Sequence, residues 1–244
     1  MIRDFFQSIT AYFESISAIS RYKLWPYVLF SAILSIIIGL LLYNTATGLG
    51  ASIADRILSN WEWGGTNDIV EFISGFLSKG VILLVFWFMF KYIMFVVLSP
   101  IMSLISEKIE SIHDETEPVR FTIAGAISDM IRGLRIALRN IVRELFITGI
   151  ILILGLFPVF TLFSGIAIYL VQSYYAGFGN LDYYLERRMN VSQTVDFVRR
   201  RKLAAVGNGL GYMFLLFIPI AGVVLAPLLG TISATLYMLN ETDV

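Results

Sequence analysis

Four arginines carry the clearest chemical signal in the sequence. Arg132, Arg135, Arg139 and Arg143 are spaced by 3, 4 and 4. On a helix turning about 100° per residue they fall inside an arc of about 80°. A guanidinium presents paired N–H donors in one plane, which suits carboxylate, phosphate or sulfate oxygens. The stripe can touch anionic lipid head groups, at about 1 kcal/mol per charge. It can also act as a funnel that gathers a small anion. Lipid contact is the default of the two, and both can hold. Arg21 is a further cation, placed just before a long apolar run. Lys91 lies inside another such run, where an ionisable group is a functional candidate by default. The alternative for Lys91 is snorkelling, or pairing within an oligomer interface.

Other chemistry is poorly provided for. The chain has no cysteine, so disulfides, thiolate metal sites and a cysteine nucleophile are excluded. Its one histidine, His113, sits in the polar stretch HDETEP, with no second His to complete a usual metal site. Asp129, Glu144, Asp182 and Asp196 lie in basic or interfacial stretches, where pairing with neighbouring arginines is expected. No nucleophile–base pair stands out, so neither an enzyme nor a cofactor is expected. Formal net charge is zero, which argues against nucleic acid as a partner.

The elements that position these charges are apolar helices. Apolar residues make up 57% of the chain, against about 45–50% in soluble domains, and they cluster in long runs. The fold class expected is an all-α integral membrane protein in one domain, residues 1–244. Residues 1–20 read as an amphipathic surface helix, with Phe5, Ile9, Tyr12, Ile16 and Ile19 on one face. Packing on the protein's own core would give the same pattern. Residues 22–106 read as two spanning helices. The first is Trp25–Tyr43, with 19 uncharged residues, and the second is Gly80–Ser106, interrupted by Lys91. Between them, Trp61, Trp63 and Gly64-Gly65 mark a turn at the opposite interface.

Two proline-hinged hairpins follow, read as an internal repeat. The basic helix and first hairpin occupy 120–177, with arms of 14 residues to Pro158 and 13 beyond it. The basic link and second hairpin occupy 180–240, with breaks expected at Pro219 and Pro227. Proline breaks a helix because it lacks an N–H and clashes with the preceding turn. A span needs roughly 20 residues, so the first hairpin's arms suit a re-entrant, hemi-penetrating element. The second hairpin, with arms of 16 and 20, fits either reading. Gly207 and Gly211 form a G-x-x-x-G pair, expected to serve oligomerisation or packing between the hairpins. Of 18 Lys and Arg, 15 fall in segments that this topology puts on one side, so both termini are expected in the cytoplasm.

Four stretches resemble the CysZ sulfate permease family, whose relatives include the eukaryotic etoposide-induced membrane proteins. LSPIMSLISEKIES, with Pro100, Glu107 and Glu110, is similar to its proline-to-acidic stretch. RELFITGIILILGLFP is similar to its first hairpin arm. LDYY, with Asp182 and Tyr183, resembles its Asp-Tyr-Pro turn, with Tyr184 in place of the proline. FIPIAGVVLAPLLGTISAT keeps Pro219 and Pro227 eight residues apart. The family's Gly-Leu-Arg before the first helix is replaced by ISRYKLW, in which Arg21 corresponds to its Arg. The resemblance implies two long transmembrane helices, two hemi-penetrating hairpins, a homo-oligomer in the bacterial inner membrane, and sulfate uptake. Passive permeation of sulfate or a similar anion is thus one functional expectation. The other is a membrane-structural or adaptor protein whose basic helices bind anionic lipid.

Overall fold

The computed structural model describes residues 2–60, 91–117, 122–218 and 221–241. The turn expected around Trp61, Trp63 and Gly64-Gly65, residues 80–90 of the second span, and Pro219 lie outside these. The described residues form nine helices. They are α1 (Ile2–Arg21), α2 (Trp25–Asn60), α3 (Lys91–Val97), α4 (Ser99–His113), α5 (Ile123–Gly155), α6 (Pro158–Leu185), α7 (Val191–Arg200), α8 (Lys202–Leu216) and α9 (Ala221–Leu239). Among the described residues, three stretches are long and apolar enough to cross a membrane: Trp25–Thr45, Pro158–Leu185 and Ala221–Leu239. The protein is therefore an all-α integral membrane protein.

α9 is the innermost helix. Ala226 to Met238 are buried along its whole circumference, and α1, α2, α4, α6 and α8 pack around it. The break expected at Pro227 is not found, because α9 runs through that residue without interruption. A single missing N–H is tolerated where neighbouring helices enclose the turn.

The second span is bent. α3 and α4 meet at Leu98 with an angle of 63°, so 80–106 is not one straight helix. Pro100 is the cause: it cannot donate to the Val96 carbonyl. The Ser99 hydroxyl donates to that carbonyl instead, at 2.8 Å, and Tyr183 OH donates to the adjacent Phe95 carbonyl at 2.8 Å. Buried carbonyls freed by a bend must find such partners.

The first hairpin turns at Leu156-Phe157, directly before the break expected at Pro158, but its arms are much longer. α5 has 33 residues and α6 has 28. The basic helix and the first arm are one continuous helix. At the turn, Thr161 Oγ1 donates to the carbonyls of Gly155 (2.8 Å) and Phe157 (3.2 Å). The first of these bonds satisfies the last carbonyl of α5.

Backbone-to-backbone contact joins the two hairpins. A Cβ at Gly177 would strike the Ala205 carbonyl, and one at Gly209 would strike the Ser173 carbonyl. Ser173-x-x-x-Gly177 and Ala205-x-x-x-Gly209 thus let α6 and α8 touch. Next to this contact Asn180 donates to Asn208 (2.7 Å), which donates to the Gly230 carbonyl (2.9 Å) and to Ser233 Oγ (3.3 Å). Gly207 and Gly211, by contrast, face α1: a Cβ would meet the Phe5 carbonyl at 2.8 Å and the Tyr12 ring at 2.6 Å. That glycine pair packs within the chain, against the terminal helix.

α1 buries a face of small residues, Ser8, Ala11, Ser15 and Ala18, with Ile19 beside them. About 110° to 190° around the helix, Ile2, Phe6, Phe13 and Ile16 are exposed, Phe13 by 74%. Arg3, Thr10, Glu14 and Ser17 complete a polar third sector. The expected apolar face is in fact the seam between the buried and the exposed apolar sectors. α1 both packs on the core and presents an apolar side outward.

Candidate anion groove and buried ion pairs

The arginine stripe divides by role along α5. Its N-terminus is set by Thr122, whose hydroxyl accepts from Gly125 N at 3.1 Å, a usual helix cap. Ten residues on, Arg132 points into the protein. Its Nη2 lies 2.7 Å from Asp182 Oδ1 and 2.8 Å from Thr194 Oγ1, and its Nη1 donates to the Met189 carbonyl at 2.7 Å. Arg132 therefore clamps α5 to α6 and α7. Asp182 is buried, and this pairing is the role found for the residue matched to the family's Asp-Tyr turn.

Arg135 is exposed and lines an open groove of about 790 Å³. Arg132 and Arg187 bring two further cations to the groove, and Asp129 and Glu186 bring two carboxyls. Arg139 turns away, donating to Asn140 Oδ1 at 2.7 Å and lying over the Phe178 ring at 5.2 Å. Arg143 is exposed. The stripe is thus one clamp, one groove residue, one ring-stacked residue and one outward charge.

Glu186 sits just beyond the end of α6, half-buried at the groove wall. Burial pushes its carboxyl up to about 8. The charges of Asp182 and Asp129 add to this, while Ser103 and Arg132 oppose it. Burial thus favours its neutral form, so it sets little negative charge against the groove's three arginines, two of which already pair with Asp182 and Glu110. Its unfolded value is about 4.3, so the stabilising contribution is full below that pH and is lost as pH rises through about 8. Ionisation above pH 8 also adds a negative charge beside Arg132. Any small anion held by the groove's arginines should bind more weakly as pH rises from 7 to 9 in the wild type, with no such change in Glu186→Gln. Isothermal titration across that range checks this.

The acidic residues of α4 are held near the same wall. Arg187 donates to Glu110 Oε2 at 2.7 Å and to Ser106 Oγ at 3.0 Å, and Arg188 pairs with the other Glu110 oxygen. Glu107 lies one turn earlier on the same helix. Pro100 and Tyr183 act at the α3–α4 bend. Arg21 is not brought to the groove. It is exposed at the end of α1, before a turn in which Lys23 has φ 52° and its backbone carbonyl accepts from Lys108 Nζ at 3.2 Å.

A second charged centre lies inside the helix bundle. Lys91 Nζ is 2.7 and 2.9 Å from the two oxygens of Glu144, and Tyr92 OH donates to the same carboxylate. The side chains of Lys91 and Glu144 are 4% and 0% exposed. This corrects the expectation that Glu144 pairs with a neighbouring arginine. Arg143 adjoins it in sequence but projects about 100° away around the helix. The partner comes from α3, 53 positions earlier.

Between the two centres is a small cavity of about 20 Å³, room for about one water. Tyr92, Asn140 and Asp182 lie on its wall. The Arg132–Asp182 pair therefore stands between the open groove and this cavity.

Long apolar helices, a groove lined by arginines and charges buried among the helices define a helical membrane protein with ion pairs in its interior. Residues 11–227 match the family described as Sulfate transporter CysZ/Etoposide-induced protein 2.4, and the chain belongs to that family. No curated protein sequence matches it.

Proposed function

We propose that this protein is a passive, channel-like permease for a small oxyanion, sulfate first, in the bacterial inner membrane with both termini in the cytoplasm. The observation that carries the reading is the groove, where Arg132, Arg135 and Arg187 converge beside a largely neutral Glu186. Such a groove concentrates anions and needs no catalytic group. Membership of a sulfate transporter family supports the same substrate class. Arg21 makes first capture of the anion at a separate surface. Anionic lipids bind the outward charges, Arg143 among them. The assembly is a homo-oligomer, formed through surfaces other than Gly207 and Gly211, which α1 covers.

The hairpins are re-entrant in this reading. Leu156 and Leu162 at the first tip are exposed by 81% and 84%, and Phe157, Val159 and Phe163 join them. An apolar tip belongs in hydrocarbon, because in water it would be a large unpaired apolar patch. From Arg143 to the tip α5 rises about 20 Å, less than the roughly 30 Å core. A cysteine placed at Val159 in this cysteine-free chain should resist an impermeant thiol reagent from both sides. Rapid labelling from the non-cytoplasmic side would establish a full span instead.

The deciding test is sulfate uptake into vesicles containing only this protein, without ATP. Flux above empty vesicles is the expected result, lowered by Arg21→Lys at unchanged expression. Arg132, committed to three internal partners, is the observation that favours the membrane-structural alternative. Absence of flux in the wild type would select that alternative.

A further inference from the structure

Lys91 is the residue hardest to explain as scaffold. A buried ion pair rarely stabilises a protein more than apolar residues of the same shape. Inside a membrane the charge is costlier still. Yet α3 aims two kinds of donor, the Lys91 ammonium and the Tyr92 hydroxyl, at one carboxylate. That donor set holds both oxygens of an anion, with Lys91 within 2.9 Å of each. It would hold two oxygens of a tetrahedral oxyanion equally well. The centre also adjoins a cavity: Tyr92 lines it together with Asp182, which is paired with groove residue Arg132. Asn140, one turn before Glu144, lines the same cavity and is bonded by Arg139.

We propose that Lys91 and Tyr92 form an internal oxyanion site, which the Glu144 carboxylate of the chain itself occupies in this conformation. An incoming oxyanion takes the place of Glu144, which swings aside on α5. Glu144 is then both a resident substitute for the permeating ion and a gate that closes the path when no ion is present. The present cavity, about one water in size, is the closed state. The inference rests on the permease reading for the ion's route, but the site itself can be tested by binding alone.

The test compares wild type, Glu144→Gln and the charge-free double variant Lys91→Met/Glu144→Gln. Each is purified in detergent and unfolded thermally in sodium sulfate or in sodium chloride of matched ionic strength. Removing only the Glu144 charge takes away the carboxylate that Lys91 Nζ and Tyr92 OH contact, so Glu144→Gln should unfold at lower temperature in chloride. Sulfate should restore it by several degrees, more than it shifts the wild type. Adding Tyr92→Phe should shrink that rescue. The double variant should fold but show no sulfate-specific shift. In vesicles, Glu144→Gln should raise sulfate flux several-fold, and the double variant should lower it at least ten-fold. A Glu144→Gln protein that sulfate rescues no better than chloride overturns the proposal. So does a double variant with wild-type flux and sulfate shift. Should Glu144→Gln not fold even in sulfate, the proposal is likewise overturned, because the missing anion was supplied and did not serve. Loss of flux in the wild type counts against the permease reading alone, and the sulfate rescue still decides the site.

Discussion

Replacing Gly209 by leucine is expected to leave little or no folded protein. A Cβ at this position would lie on the Ser173 carbonyl and 2.9 Å from the Gly177 backbone nitrogen. Both obstacles are main chain, so neither can rotate away. The two helices must separate, and the separation removes contacts along all of α6 and α8. It also pulls Asn180 away from Asn208, one residue from the substitution, leaving buried amides without partners. Overpacking usually costs about 1–3 kcal/mol, and a backbone clash between two hairpins should exceed that range. Against a total stability of about 5–15 kcal/mol the loss is decisive. Gly149 and Gly165 supply the controls, since a Cβ at either meets nothing within 4 Å. Leucine at these positions should leave the protein as stable as wild type. Size-exclusion profiles and thermal unfolding in detergent read the difference. A monodisperse Gly209→Leu protein with a wild-type unfolding midpoint would show that the hairpins do not meet through these residues.

How far the sequence foretold this structure depends on whether a signal was local. The turn at Phe157-Pro158 was legible because proline acts on its own neighbours, and α6 does begin at Pro158. Trp25 likewise opens α2 where the uncharged run starts. The hairpin arms were misjudged because hydropathy registers the part of a helix that faces lipid. α5 and α6 continue through Arg132–Glu144 and Tyr174–Leu185, whose inward-facing polar groups Arg132, Glu144, Asp182 and Tyr183 are met by protein partners. Pro100 carried the signal for the α3–α4 bend, but the apolar run across it concealed the break. Pro227 carried the same type of signal and produced none, since packing on every side of α9 holds its turns together. In the site, the arginine stripe was legible as a pattern but not as roles. Arg132 differs from Arg135 only because Asp182 and Thr194 lie 50 and 62 positions away in the chain. Lys91 stood out by composition, but Glu144 could not be matched to it by any local rule. Gly177 and Gly209 were missed although each sits in a small-x-x-x-small pair. The more visible Gly207 and Gly211 drew the assignment, and these serve the terminal helix.

Arg132→Ala is expected to cost about 3–5 kcal/mol, the usual penalty for removing one member of a buried ion pair. Three losses combine. Asp182, 3% exposed, keeps a carboxylate with no counter-charge, and the Met189 carbonyl and Thr194 hydroxyl lose a charged donor. The Arg132 side chain is only 16% exposed, so solvent screens the pair weakly. Arg132→Lys keeps the charge but cannot reach three acceptors from a single ammonium, so it should recover only part of the loss. The double variant Arg132→Met/Asp182→Asn removes both charges and should be less damaged than Arg132→Ala, despite carrying one more substitution. That ordering separates a buried-charge penalty from a simple loss of side-chain volume, under which the double variant would be worse. Thermal unfolding in detergent supplies the order of the three midpoints. Flux adds a second reading, because the pair also stands between the groove and the inner cavity. The double variant should be folded yet altered in sulfate uptake, whereas a clamp with no place on the path would leave uptake unchanged once folding is restored.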